Sequence, residues 1–160
     1  MASVRQKIID VLIGRLEGIT KAAGYSRNVG KGRVKTSGDI SGSLPTPSVV
    51  LLQADEEISK QYSDRYECKL SVDILFMDTG IYSDSAAEAV EFMADIQKAM
   101  QVEFTIQAKR YPDPTIVSGM ANMFEVGSAI EVSDATPALI VGRVSYDITY
   151  RRSIYDPNQL

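Results

Sequence analysis

Apolar and polar positions alternate most regularly between Tyr66 and Met77. Tyr66, Cys68, Leu70, Val72, Ile74 and Phe76 fall on one face of an extended chain, and Glu67, Lys69, Ser71 and Asp73 on the other. Side chains of a strand point alternately to its two faces, so this segment is predicted to be a strand with one wet face, as in an antiparallel sheet. The pattern repeats over Leu139–Tyr150, where Ile140, Val144, Tyr146, Ile148 and Tyr150 oppose Arg143, Ser145, Asp147 and Thr149. It is weaker over Met123–Val132, with Phe124, Val126, Ser128 and Ile130 on one face. Ser48–Ala54 is a short apolar run rich in β-branched residues and reads as a buried strand ended by Asp55, Glu56 and Glu57.

A different period marks two helices. Val4, Ile8, Val11, Leu12, Leu16 and Ile19 make a stripe at helical spacing, which predicts a helix over 3–23 with Ser3 as N-cap and Gly24 as its stop. Gly14 and Gly18 each cost about 1 kcal/mol of helix propensity relative to Ala, so this helix needs packing to persist. Ser85-Ala-Ala-Glu88 has the form of a capping box and opens a helix to about Met100. Its expected buried stripe is Ala86, Ala89, Val90, Met93, Ile96 and Met100, with Glu88, Glu91, Asp95 and Lys98 in water. Residues 103–109 suggest a short strand, Asp78–Asp84 a turn, and Tyr111-Pro-Asp-Pro114 another turn. Between the first helix and first strand lies a Gly-rich stretch, 24–47, expected to be a long flexible loop with a ragged strand near Gly32–Lys35. A polar tail is expected at 152–160. Few helices and strands that mostly neighbour strands give an α+β class: one domain over 1–160, a mainly antiparallel sheet with two helices on one face.

Charge changes this picture more than composition does. The 160-residue chain has a formal net charge of −4, but residues 1–48 hold eight basic and three acidic residues, and 49–160 hold nine basic and eighteen acidic. A basic N-terminal segment on an acidic body points to a charged partner. The basic residues Arg27, Lys31, Arg33 and Lys35 cluster in the long loop beside Tyr25. Phosphate contacts need only mobile basic side chains, so nucleic acid is one candidate partner. An acidic protein surface is the other, and the sequence pI of about 4.9 weighs against a nucleic-acid footprint.

Candidate chemistry is sparse. With no His there is no Ser-His-Asp or Cys-His system and no His-containing zinc site. The single Cys68 cannot form an internal disulfide, and its place on an apolar face reads as a small core hydrophobe. The Gly-rich loop fails as a phosphate cradle, because five residues separate Gly24 from Gly30 and Gly32 follows Lys31 where a hydroxyl is required. The Asp55-Glu56-Glu57 trio reads as a solvated cluster, and Tyr146 and Tyr150 as packing residues. No apolar run is long enough to span a bilayer, and residues 1–20 lack the pattern of a signal peptide.

The order of segments resembles the tail terminator proteins of long-tailed bacteriophages, the minor tail protein U or tail-completion family. The resemblance is one of arrangement across nearly the whole chain: VRQKIIDVLIGRLEGI, a Gly-rich loop ending in Pro, PSVVLLQADEE, DRYECKLSVDILFM, DSAAEAVEFMADIQKAM and IVGRVSYDITYRR. The loop at 24–47 and the tail after Arg152 are longer than the family pattern. The resemblance implies an α+β fold in a hexameric ring that caps the tail tube, ends its polymerisation and offers a face for head joining. It implies a non-enzymatic protein without cofactor or metal, located in the neck region of the virion and made in the host cytoplasm. The implied partners are further copies of the chain, the major tail tube protein, a head-completion connector and, in a contractile tail, a sheath protein. DNA would pass through the ring without specific binding. The alternatives are another neck or head-completion connector protein, or a small nucleic-acid-binding module using the basic loop. Candidate residues for an inter-subunit interface or an interface with the tube or connector are Arg27, Lys31, Arg33, Lys35, Asp55, Glu56, Glu57, Arg151 and Arg152.

Overall fold

Burial of one strand face organises the molecule. The computed structural model describes residues 3–36, 45–80, 84–110, 120–134 and 137–155. The elements run α1 (Val4–Glu17), β1 (Val34–Thr36), β2 (Ser48–Gln61), β3 (Arg65–Thr79), α2 (Ser85–Arg110), β4 (Met120–Val132) and β5 (Leu139–Ser153). Among the described residues they form one five-stranded sheet in the order β1-β2-β3-β5-β4. All pairings are antiparallel except β1 with β2, which is parallel. The fold is α+β and mainly antiparallel, as the patterning predicts.

Both helices pack on one face. Cys68, Leu70, Val72, Ile74 and Phe76 of β3, with Ile140, Val144, Tyr146, Ile148 and Tyr150 of β5, meet Ile8, Leu12 and Leu16 of α1 and Phe92 and Ile96 of α2 in a single core. Each fully buried large apolar side chain of this set contributes roughly 1.5–3 kcal/mol of transfer free energy. Phe76 and Phe92 pack with ring centroids 4.8 Å apart. Gly142 lies opposite Phe76 in the β3–β5 register, and a Cβ there would overlap the Phe76 ring.

Several expectations need correction. Helix α1 ends at Gly18, not near Gly24: its last turn tightens to i−3 bonds, Gly18 N–H to Arg15 and Ile19 N–H to Leu16, and Thr20 is extended at φ −138° and ψ 152°. Ile19 is buried beyond the helix, which is why the apolar stripe runs on. Thr20 then caps a single 3-10 turn, Lys21–Ala23, closed by Gly24 at φ +87°. Strand β2 does not stop at Asp55–Glu57 but runs to Gln61. Register shifts between Gln53 and Glu56 and between Ile58 and Lys60 accommodate the charges, where no β2 side chain from Asp55 to Gln61 is buried although its β3 partners Leu70 and Cys68 are.

Helix α2 is capped by Asp84, whose Oδ1 accepts from the Ala87 N–H at 3.1 Å, rather than by the predicted Ser85–Glu88 box. It continues through 103–109, the predicted strand, because no Gly or Pro interrupts it before Pro112. Its buried face is Glu88, Ala89, Phe92, Asp95, Ile96, Ala99 and Met100, while Val90 is 53% exposed and Ala86 is also exposed. Glu88 and Asp95, placed in water by the sequence, are buried.

In β4, a bulge between Glu125 and Gly127 breaks the alternation. Phe124 and Val126 are 57% and 59% exposed, whereas Met123, Ile130 and Val132 pack on the core. Strand β5 extends to Ser153 and so includes Arg151 and Arg152, the first residues of the predicted tail. The Tyr111–Pro114 turn, residues 37–44 of the expected 24–47 loop, residues 81–83 of the 78–84 turn and the tail beyond residue 155 lie outside the described residues.

Candidate interaction surfaces

The basic segment does not behave as one loop. Arg27 is an internal tie: its Nε lies 2.9 Å from Asp78 Oδ2, and its other guanidinium nitrogens approach Glu88 at 3.7 Å and Glu91 at 3.9 Å. Its side chain is only 15% exposed and that of Asp78 8%. Asp95 completes the staple, accepting from the Ser26 N–H, the Ser26 hydroxyl at 2.8 Å and the Arg27 N–H at 3.0 Å. Lys98 adds a bond to the Gly24 carbonyl at 3.1 Å and sits over the Tyr25 ring. The buried carboxylates of α2 therefore hold residues 24–27 against the helix.

Lys31, Arg33 and Lys35 are brought together elsewhere, on and just before β1. Arg33 donates to the Thr46 and Pro47 carbonyls, which fixes the entry to β2. Lys31 is exposed in a turn with Gly30 and Gly32 at positive φ, and Lys35 is half-buried on β1.

The acidic trio is split by the first β2 bulge. Asp55 and Glu57 are exposed. Glu56 turns toward β5, where Oε2 accepts the hydroxyl of the fully buried Tyr150 and Oε1 lies 3.4 Å from Arg152 Nε. Arg152 also covers the Tyr66 ring, 5.1 Å from its centroid. Burial, with the Glu56 bond, pushes the Tyr150 hydroxyl well above its usual pKa, so it stays a neutral donor. Burial likewise raises the Cys68 thiol, helped by Glu56, which keeps it protonated and unreactive at neutral pH. Glu56 and Arg152 thus clamp β2 to β5. Arg151 lies on the opposite sheet face, 3.7 Å from Glu67 and over the Tyr62 ring.

The sheet face away from the helices carries a polar ladder and an apolar corner. Asp147 accepts from the Ser71 hydroxyl at 2.7 Å and pairs with Lys69 at 3.0 Å, and Ser145 donates to Asp73. Val50, Leu52, Leu75 and Met77 occupy the corner near β1 through the β2–β3 register. Among the described residues, strands β1 and β4 form the two outer borders of the sheet. Near the end of β4, Glu131 and Asp134 are exposed.

Sequence patterning missed Glu131 and Asp134. The available signal was a run without Lys or Arg from Tyr111 to Gly142 that contains Asp113, Glu125, Glu131 and Asp134. Among the described residues, no set of three or more Cys, Asp and Glu side chains is arranged to hold a metal ion. Nor, among them, is any helix long and apolar enough to cross a membrane. No protein-family model matches the chain, and no curated protein matches its sequence.

Proposed function

We propose that this chain is a structural assembly protein of a tailed bacteriophage, a tail terminator. In this reading it forms a ring on the finished tail tube, stops tube growth and provides the surface for head joining. The observation that carries the reading is a sheet with both helices on one face and, among the described residues, a second face with a polar ladder and an apolar corner, bordered by β1 and β4. It joins the segment-by-segment resemblance described above. A cyclic ring needs two different, mutually complementary surfaces on each subunit, and a sheet with unlike borders offers them. The basic loop lends less to a nucleic-acid reading, because Arg27 and Arg33 are engaged within the chain.

The experiment is negative-stain imaging of the full chain alone and mixed with phage tail tubes. The reading expects rings, and density added at one end of each tube with tube length then fixed. Tubes that grow on unchanged and carry no added density overturn it.

A further inference from the structure

Among the described residues, the two borders of the sheet carry opposite charge at the same height. Registers carry Val34 across to Val49, Phe76, Gly142 and Ile130, and carry Thr36 across to Leu51, Ile74, Val144 and Ser128. Straight across the sheet, Val34–Thr36 of β1 is therefore level with Ile130–Ser128 of β4. One residue further, Arg33 is level with Glu131. Lys31 and Lys35 flank Arg33 on the first border, and Asp134 follows Glu131 on the second. Gly18 to Gly38 contains five basic residues and no acidic one, whereas 111–142 contains four acidic and no basic. The borders stand about 19 Å apart, four strand spacings.

Strand direction fits the same pairing. Strand β1 is parallel to β2, and three antiparallel steps lead from β2 through β3 and β5 to β4. A neighbour's β4 laid beside β1 would therefore run antiparallel to it, the commoner and slightly more stable pairing. Strand β4 is thirteen residues long and, among the described residues, pairs on one side only. Such an edge is a template for another strand.

We propose that copies of this chain join head to tail, the basic β1 border of one against the acidic Glu131–Asp134 end of β4 of the next. The proposal rests on the ring reading above and names its seam. Like borders repel, so a symmetric back-to-back dimer through either border is disfavoured. Each added copy leaves one border of each sign open, so the series closes into a ring or extends as a filament. Among the described residues β1 is three residues long, so charge supplies much of the selectivity, and the seam weakens with salt.

The test uses the full chain in analytical ultracentrifugation at low salt. Wild type is expected to associate, with affinity falling on the order of tenfold at high salt. K31E/K35E and E131K/D134K each leave a chain with two borders of one sign, and each alone should be monomeric. Mixed in equal amounts they should assemble, because each supplies the border the other lacks. The variant carrying all four changes should assemble alone, which keeps the test independent of a loss in either single set. If wild type assembles and the two variants assemble as it does, or the mixture fails to, the seam is overturned and the ring reading stands. If wild type remains monomeric at all concentrations and beside tail tubes, both fall.

Discussion

Arg27 carries a charge that is already spent within the fold. Its guanidinium lies between Asp78, Glu88 and Glu91, and its N–H and that of Ser26 bind Asp95. Removing one partner of a largely buried pair leaves the others uncompensated. Arg27→Ala is expected to destabilise the protein by about 3 kcal/mol. Urea unfolding measures this, and a loss within a few tenths of a kcal/mol of zero contradicts the staple. Asp147 gives a pH-dependent counterpart. Burial alone would raise its carboxyl, but the Ser71 hydroxyl and Lys69 ammonium outweigh that and hold it below its usual value. A depressed folded pKa contributes stability that is present above the unfolded value, about 3.9, and is lost as pH falls through the folded value. Asp147→Asn should therefore lower Tm at neutral pH and reduce the drop in Tm on acidification. Parallel Tm curves for the two proteins would contradict this. Arg27 also shows a limit of patterning. Sequence places it in a basic loop with Lys31, Arg33 and Lys35, because the acids that bind it lie 51 or more positions away, from Asp78 onward.

At the scale of elements, period-2 segments were legible and interruptions were not. The buried faces of β3 and β5 are those read from alternation, since a two-residue period with a dry side leaves one register. The β2 bulges and the β4 bulge reset that period, so alternation alone makes Asp55–Glu57 a strand end and turns Phe124 inward. Helix α2 ran past Met100 because local alternation over 103–109 competes poorly with an uninterrupted helix. Gly142 is an element-level constraint that composition hides. It makes room in β5 for the Phe76 ring, which in turn packs on Phe92 of α2. Gly142→Ala should cost about 1–3 kcal/mol by overpacking the sheet against the helix. Thermal unfolding checks it, and an unchanged Tm would mean that the ring shifts freely. The candidate surface was half legible: its basic side follows from Lys31, Arg33 and Lys35, but its acidic side needed the register that sets Glu131 level with Arg33.

For the whole molecule, one asymmetry matters most. Helices cover one sheet face, a polar ladder lines the other, and unlike charges mark the two borders. In the ring proposed above, this arrangement would supply the contacts between copies of the chain and with a tube. The net charge of −4 conceals it, because the positive border and the acidic body largely cancel. The most direct measurement is light scattering coupled to size exclusion on the full chain, at low salt and over a wide concentration range. Head-to-tail assembly gives a concentration-dependent shift from monomer to a closed ring of defined mass, reversed by salt. A single monomeric mass at every concentration, unchanged when tail tubes are added, would contradict it.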